Sequence, residues 1–336
     1  MAKWKTFIGV DAASRSFTAT IGGSPWQVLA KPEEFDNGLK GFRVFLDWLT
    51  EHRVDKRSAV VCIEATGVYG EALAHFLAAH KLAVAIEPPL KVKRAFETSG
   101  PKTDAVDSRQ IAEYAYRFAD ELSLWQPRGE ILEQIQVLLT AREQFVRQRT
   151  MHKNALATLK RKVVQTPAAN QAHQQGIEFL DKEIKALEEE LRKLIDQDPD
   201  LRQRLMLLVS VPGIGLLLGA HLLLLTHHSQ NPRKLAAHLG KAPHAHRSGT
   251  SVYGKTQSRR YGPATPRKLL YLAACSLRQH HPMFEEYYLR KIAQGKAPRL
   301  VLNNIENRLL RIACAVLRDQ RPFISDYRSL SPLTGP

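Results

Sequence analysis

The stretch Thr6-Phe7-Ile8-Gly9-Val10-Asp11-Ala12-Ala13-Ser14 decides the fold, because an apolar run ends there in an acid and small residues. A second apolar run continues to Ile21, and the two runs predict a hairpin of two strands. Further strands are predicted at Ala59–Ile63 and Ala83–Ile86, with a helix from Ala72 to His80 between them. Strands followed by a strand-helix-strand unit predict an α/β sheet.

Four acids stand at the ends of these elements. Asp11 ends the first strand, Glu64 ends a later central strand, and Asp104 and Asp107 lie near the start of a helix predicted from Ala105 to Phe118. In an RNase H-like mixed sheet these places converge on one edge. Four carboxylates so close would repel one another unless cations neutralise them, and hard oxygen ligands suit Mg²⁺ or Mn²⁺. The pattern predicts a two-metal phosphodiester site, although each acid alone also fits a turn or a helix cap.

The composition favours a partner rich in phosphate. The chain of 336 residues has 49 Lys+Arg against 33 Asp+Glu, a formal net charge of +16 and a pI near 9.8. Such a balance is typical of nucleic-acid binding. Three widely spaced cysteines indicate neither a disulfide framework nor a zinc site. The N-terminus has no signal-peptide pattern, and the apolar run Leu216–Leu225 is too short to span a bilayer, so we expect a cytoplasmic protein.

A long helical segment follows Pro127. Its return arm carries apolar residues at alternating spacings of three and four, from Ile177 to Leu194, which is the seam of a coiled coil. The turn of this helical hairpin is predicted at Pro167-Ala168. Three domains are therefore predicted: an α/β catalytic domain over residues 1–150, a coiled-coil arm over 151–204, and a mainly helical C-terminal domain over 205–336.

Two segments of the last domain have residue types that suit phosphate chemistry. Val211-Pro212-Gly213-Ile214-Gly215 before an apolar helix resembles a helix-hairpin-helix element, whose glycines let backbone N–H groups approach a phosphate; an ordinary turn is the alternative. Ser248-Gly249 lies in a predicted loop from Lys241 to Thr265, where a serine among guanidinium groups could attack phosphorus or simply form a turn. The candidate nucleic-acid-binding residues are Pro212, Gly213, Gly215, Gly249, Lys255, Arg259, Arg260 and Arg267.

The acidic strings carry a family resemblance. Ile8-Gly9-Val10-Asp11, Ile63-Glu64-Ala65-Thr66-Gly67 and Lys102-Thr103-Asp104-Ala105-Val106-Asp107-Ser108 resemble the DEDD transposases of bacterial insertion sequences, which are related to the pilin-gene-inverting recombinases. The N-terminal domain of that family resembles the Holliday-junction resolvase RuvC. The resemblance runs from Phe7 to about Leu277, and Lys241 departs from it where an apolar residue is expected.

The resemblance implies a bacterial recombinase that excises and inserts its own element, in some members guided by a noncoding bridge RNA. It places the nucleophile of a phosphoserine intermediate at Ser248, with Ser251 and Ser258 as fallback candidates, and Mg²⁺ on the four acids. It also implies DNA partners and a homo-oligomer, a dimer or tetramer. Two rival hypotheses remain: a metal-dependent junction-resolving endonuclease in which water attacks, and a catalytically dead nucleic-acid-binding scaffold.

Overall fold

The computed structural model describes residues 4–65, 67–96, 103–227, 229–248, 252–258 and 262–324. The chain divides into two compact units, residues 1–127 and 128–336. The predicted domain boundary at residue 150 lies further along the chain, inside the long helix Glu130–Leu159 that opens the second unit. In these described ranges no helix is both long and apolar enough to cross a membrane.

The first unit is built around a six-stranded mixed sheet in the order β3-β2-β1-β4-β5-β6. Strands β1, β2 and β3 pair antiparallel, β1, β4 and β5 pair parallel, and β6 returns antiparallel to β5. This order and these directions are those of the predicted RNase H-like sheet. The elements are β1 (Thr6–Ala12), β2 (Ser16–Gly23), β3 (Gln27–Asp36), α1 (Leu39–Glu51), β4 (Ala59–Glu64), α2 (Glu71–Ala79), β5 (Ala83–Glu87), α3 (Pro89–Ala95), α4 (Asp104–Arg117) and β6 (Leu124–Trp125).

Both faces of the sheet are covered because its strands alternate their buried side chains between two helical layers. Ile8 and Val10 of β1 pack in one core with Phe45 of α1 and Leu73 of α2. Phe7 faces the other way, into a core that includes residues of β4, β5 and α4. The strands predicted at residues 59–63 and 83–86 and the two predicted helices are confirmed, whereas β3, α1, α3 and β6 were not predicted.

The second unit is mainly helical, as predicted. Where the sequence predicted a loop from Lys241 to Thr265, however, the structure has an antiparallel hairpin of two polar strands. The elements are α5 (Glu130–Leu159), α6 (Pro167–Asp196), α7 (Pro199–Val209), α8 (Leu216–Thr226), α9 (Pro232–His238), β7 (Pro243–Ser248), β8 (Val252–Ser258), α10 (Ala264–His280), α11 (Pro282–Ala293) and α12 (Pro298–Asp319). Strands β7 and β8 were not predicted because their sequences are largely polar and lack the alternation of apolar and polar residues that indicates a strand.

Helices α5 and α6 form a pair of 30-residue arms that pack against each other. Two ion pairs join them: Arg142 Nε lies 2.7 Å from Glu188 Oε1, and Arg149 Nη1 lies 2.5 Å from Asp181 Oδ1. The predicted position of the turn was wrong. Pro167 begins α6, where its missing N–H is not needed, so the turn comprises residues 160–166 instead.

Candidate active site

Asp11 and Glu64 lie at the same edge of the sheet. The parallel register of β1 and β4 pairs Val10 with Ile63, so the next residue of each strand is one of the two acids. Both acids follow a buried residue and are themselves half-buried. Alternation places them on the face that carries Phe7 and Cys62, which is the face covered by α4.

Helix α4 crosses that face at Gly9. A Cβ at this glycine would lie 2.2 Å from both the Ala112 nitrogen and the Ser108 carbonyl oxygen. The buried Thr20 and Ser108 hydroxyls hydrogen-bond at 2.8 Å, next to this crossing. Only a glycine lets the helix backbone come so close to the strand, and so the sequence Ile-Gly-Val-Asp fixes where α4 lies on the sheet.

The direction of α4 brings its acidic end to Asp11. Phe7 stacks edge-on against Tyr116 near the end of the helix, whereas Gly9 meets Ser108 and Ala112. The helix therefore runs antiparallel to β1, and its first turn lies toward the end of the strand that carries Asp11.

Asp104 and Asp107 stand in that first turn. Asp104 is exposed and Asp107 is half-buried. The N-cap of α4 is Thr103, whose hydroxyl accepts a hydrogen bond from the Val106 N–H at 3.3 Å. Negative side chains are favoured at a helix N-terminus, because the unpaired N–H groups there carry partial positive charge. The structure thus brings the elements that carry all four predicted acids to one edge of the sheet.

The donor set at this edge suits a hard divalent cation. Carboxylate oxygens are the ligands that Mg²⁺ and Mn²⁺ prefer, and both strand ends and the helix N-terminus present them. Within the part of the chain that the structure describes, no three Asp, Glu, His or Cys side chains stand close enough together to hold an ion.

Sequence reasoning missed a fifth acid beside this site. Glu87 ends β5 directly opposite Glu64 and is 2% exposed, and its carbonyl oxygen accepts the Ala65 N–H at 2.9 Å. Lys91 Nζ lies 3.0 Å from its carboxylate. Burial and this neighbouring carboxylate raise the pKa of Tyr114 to about 12, so the phenol stays protonated and donates to Glu87. The available signal was an acid directly after an apolar strand, the same pattern as at Glu64.

The carboxylates of Glu64 and Glu87 also act on Cys62, which lies two residues before Glu64 on the same face of β4. Burial, with the charges of Glu87 and Glu64, raises the pKa of the Cys62 thiol well above its usual value. The thiol is therefore protonated and packs as an apolar side chain.

Ser248 stands at the tip of the β7–β8 hairpin. It pairs with Val252, so residues 249–251 connect the strands, and Gly249 and Ser251 lie outside the described residues, as do Arg259 and Arg260. Lys255 lies within β8. The fallback candidate Ser258 pairs with Pro243 at the base of the hairpin. A strand of seven residues spans about 20 Å, so the two serines mark opposite ends of this element.

The base of this hairpin is anchored by a buried ion pair. Lys241 Nζ contacts the Glu306 carboxylate, and these side chains are 14% and 2% exposed. Asn303 and Asn307 of α12 donate to the Lys241 carbonyl oxygen at 3.3 and 3.4 Å. Burial is the largest influence on Glu306 and raises its pKa in spite of the lysine. The lysine that departs from the family pattern thus has a partner on α12.

At residues 211–215, where the sequence resembles a helix-hairpin-helix element, the structure has a tight turn between α7 and α8. Gly213 adopts φ +83° and Gly215 caps α8, while Val211 and Ile214 are buried beneath it. A side chain at Gly213 would also crowd Leu277 of α10 at 3.1 Å. Packing alone therefore explains Gly213, and phosphate contact by Pro212, Gly213 and Gly215 stays a prediction. Arg267 lies in the first turn of α10, on the chain that returns from the hairpin.

An RNase H-like sheet with acids at these three positions, followed by a helical unit in a strongly basic chain, defines a nucleic-acid-processing enzyme. A DEDD transposase model of the IS110 type matches residues 8–163, and the transposase model for the IS116/IS110/IS902 family matches residues 205–289. The chain belongs to the IS110 family of transposases and recombinases, and is a DNA recombinase. The predicted family is confirmed.

Individual proteins agree with the family models. The pilin gene-inverting proteins of Moraxella bovis and Moraxella lacunata are each 30% identical over 326 residues, 95% of this chain and 98% of theirs. The insertion element IS116 uncharacterized 44.8 kDa protein of Streptomyces clavuligerus is 29% identical over 147 residues, 43% of this chain and 36% of that protein. Among solved structures, T. thermophilus RuvC in complex with Holliday junction substrate aligns with 36% of this chain and 99% of its own, at 11% identity and a TM-score of 0.30.

Proposed function

We propose that the protein transposes or inverts DNA by cutting and rejoining strands through a phosphoserine intermediate, with Asp11, Glu64, Asp104 and Asp107 holding Mg²⁺ or Mn²⁺. The observation that carries the proposal is the close crossing of α4 over Gly9, which brings the acidic first turn of the helix to the strand end that bears Asp11. Three separate parts of the sequence thus carry acids to the same edge of the sheet.

Each side chain has a distinct part in this proposal. When bound, the divalent ions would neutralise the carboxylates and stabilise negative charge on the scissile phosphate. Ser248 Oγ attacks the phosphorus and forms a serine–phosphate ester as the bond to the leaving sugar oxygen breaks. The serine proton is lost to solvent, and the leaving oxygen takes up a proton. Attack by the freed hydroxyl of another strand reverses these bond changes and releases the serine.

Nucleic acid would be held by the basic second unit. The chain carries a formal charge of +16, and we propose that Lys255, Arg259, Arg260 and Arg267 contact phosphates along the β7–β8 hairpin that carries Ser248 and along the chain that follows it. From the family resemblance we also propose guidance by a structured noncoding RNA of the element. Assembly into a dimer or tetramer through the α5–α6 arm would bring two duplexes together for exchange.

Covalent trapping tests this chemistry. Purified protein is incubated with Mg²⁺, element-junction DNA and RNA co-expressed from the element, and the products are separated on denaturing gels. We expect a protein–DNA adduct that disappears in Ser248→Ala and in Asp11→Asn. Ser258→Ala is the matched control at the other end of the hairpin, and it should keep the adduct.

The same gels separate the rival hypotheses. Metal-dependent cutting without an adduct, unchanged in Ser248→Ala, would favour the junction-resolving nuclease and overturn the assignment of the nucleophile. Binding without cutting under every metal and RNA condition would favour the inactive scaffold. Omission of the RNA tests guidance separately, because an adduct of equal yield without RNA contradicts it.

A further inference from the structure

A groove with a volume of about 410 Å³ runs along α5 in the second unit. One side is a single face of α5, which presents Gln136, Thr140 and Arg147 at spacings of four and seven residues. The other side is formed by α8, α9 and the first residues of α10. Its lining includes neither the four acids nor Ser248, and no step proposed above uses it.

The lining combines an apolar floor with polar groups of several kinds. Leucines of α5 and α8 form the floor, while guanidinium, amide, hydroxyl and imidazole groups stand around it. Arg147 is 68% exposed and pairs with Glu143 at 3.4 Å, which leaves its remaining donors toward solvent. An apolar floor with a few polar groups is typical of a site for a small planar ligand, and a guanidinium at the rim suits a phosphate.

His221 contributes hydrogen bonding without charge. Burial lowers its pKa to about 4, against the opposing influence of Glu143. At neutral pH its ring is therefore neutral, with one donor and one acceptor nitrogen. A neutral imidazole beside amide groups can bond to the edge of a nucleobase, which presents donors and acceptors in one plane.

The chain that returns from the Ser248 hairpin forms one wall of the groove. Gly262 adopts φ +84°, and a Cβ there would lie 1.9 Å from the His238 carbonyl oxygen. Only glycine permits this close approach, which holds residues 263–266 beside α9 as part of the lining. Strand β8 ends at Ser258, four residues before this contact. Four residues span at most about 14 Å, so a nucleic-acid strand held at the base of the hairpin would lie within reach of the groove.

We infer that this groove binds one unpaired nucleotide of a nucleic-acid strand, with the base on the leucine floor and its phosphate near Arg147. The inference rests on the proposed function, because that function is the reason to expect a nucleic-acid strand beside the groove. A base within a duplex is stacked on both faces and paired along its Watson–Crick edge, so only a single-stranded or extruded nucleotide offers its face and that edge to such a site. Base and phosphate are common to DNA and RNA, and the test below separates the two sources.

The test compares a groove-filling variant with a matched one on the same helix. Thr140→Trp fills the groove from an exposed position, whereas Val137→Trp adds the same ring at a residue that is 66% exposed and does not line it. Binding to fluorescent oligothymidylate, oligouridylate and a DNA duplex is measured by anisotropy at fixed ionic strength. Thr140→Trp should weaken single-strand binding about 10-fold relative to Val137→Trp and leave duplex binding within about twofold.

A second pair of variants keeps the inference testable if Thr140→Trp does not fold. Arg147→Ala removes the rim guanidinium, and Arg192→Ala, exposed on α6, removes an equal charge elsewhere. We expect single-strand binding to fall more in Arg147→Ala. Weaker binding of both oligothymidylate and oligouridylate would indicate that the groove does not distinguish the two sugars. Weaker binding of only one of them would identify DNA or RNA as the ligand.

Equal single-strand affinities for Thr140→Trp and Val137→Trp, with Arg147→Ala no weaker than Arg192→Ala, would overturn the inference. Its failure is distinguishable from failure of the proposed chemistry. The binding assay needs no cleavage, so a groove effect without any covalent adduct would retain the nucleotide site and refute the phosphoserine step.

Discussion

Replacement of Gly9 by alanine should disturb both the stability of the first unit and its acidic site. The new Cβ would lie 2.2 Å from backbone atoms of Ser108 and Ala112, so α4 must move away by about 1 Å to reach normal contact. Overpacking of this kind costs about 1–3 kcal/mol, and loss of the buried Thr20–Ser108 hydrogen bond adds about 1 kcal/mol. We expect the free energy of unfolding to fall by about 3 kcal/mol.

Urea unfolding followed by tryptophan fluorescence measures this change selectively. The four tryptophans all lie in the first unit, so the second unit contributes no tryptophan signal: Trp4, Trp26, Trp48 and Trp125. Displacement of the acidic helix end by about 1 Å should also slow metal-dependent DNA cleavage about 100-fold. Gly38→Ala is the control, because a Cβ there meets nothing within 4 Å. Equal urea midpoints and equal cleavage rates for Gly9→Ala and Gly38→Ala would refute the reasoning.

Three further changes test other parts of the structure. Glu306→Leu should destabilise the second unit by about 3 kcal/mol because it leaves Lys241 buried without its partner, and Lys241→Met in addition should restore most of the loss, as measured by urea unfolding with far-UV circular dichroism. His221 has a folded pKa of about 4 against 6.5, so the unfolded state gains the proton first and about 3 kcal/mol of stability should be lost as pH falls from 6.5 to 4; His221→Gln should lose less. Glu87→Gln should cost about 2 kcal/mol by tryptophan-monitored urea unfolding, because a buried acceptor of Lys91 and Tyr114 loses its charge.

Each of these has a control and a contrary result. For the ion pair, the contrary result is a double variant whose loss of stability equals the sum of the losses of the two single variants, because that would show no coupling between Lys241 and Glu306. For His221, an equal loss in wild type and His221→Gln between the two pH values would show that other groups cause the acid sensitivity. For Glu87, the control is Glu34→Gln at an exposed position of β3, and equal midpoints for the two variants would contradict the structural role of the buried carboxylate.

Much of the first unit could be predicted because its strands and helices have clear apolar patterns. The run ending at Asp11 and the run ending at Glu64 each form a buried strand, and the helix predicted from Ala105 to Phe118 is α4. Strand β3 was missed because Lys31, Glu33 and Glu34 leave it exposed over most of its length. Strand β3 lies at the edge of the sheet and pairs with β2, and the local sequence of an edge strand does not show that pairing.

The site was predictable only in part, for the same reason. Motif and family led to the prediction of the four acids, but the crossing of α4 at Gly9 depends on contacts between residues about 100 positions apart. Glu87 was missed because its role comes from its register with Glu64 and from Tyr114 on another element. The partnership of Lys241 with Glu306 likewise joins distant positions, so local sequence showed only an unexpected lysine.

Iron-mediated cleavage of the protein backbone tests the central claim most directly. Fe²⁺ substituted for Mg²⁺ in the presence of ascorbate and peroxide generates hydroxyl radicals that cut the chain near the bound ion, and mass spectrometry locates the cuts. Cuts should fall near Asp11, Glu64 and the first turn of α4, should be suppressed by excess Mg²⁺, and should be absent in Asp11→Asn. Cuts elsewhere, or cuts at these places that persist in Asp11→Asn or in excess Mg²⁺, would contradict a metal site shared by the four acids.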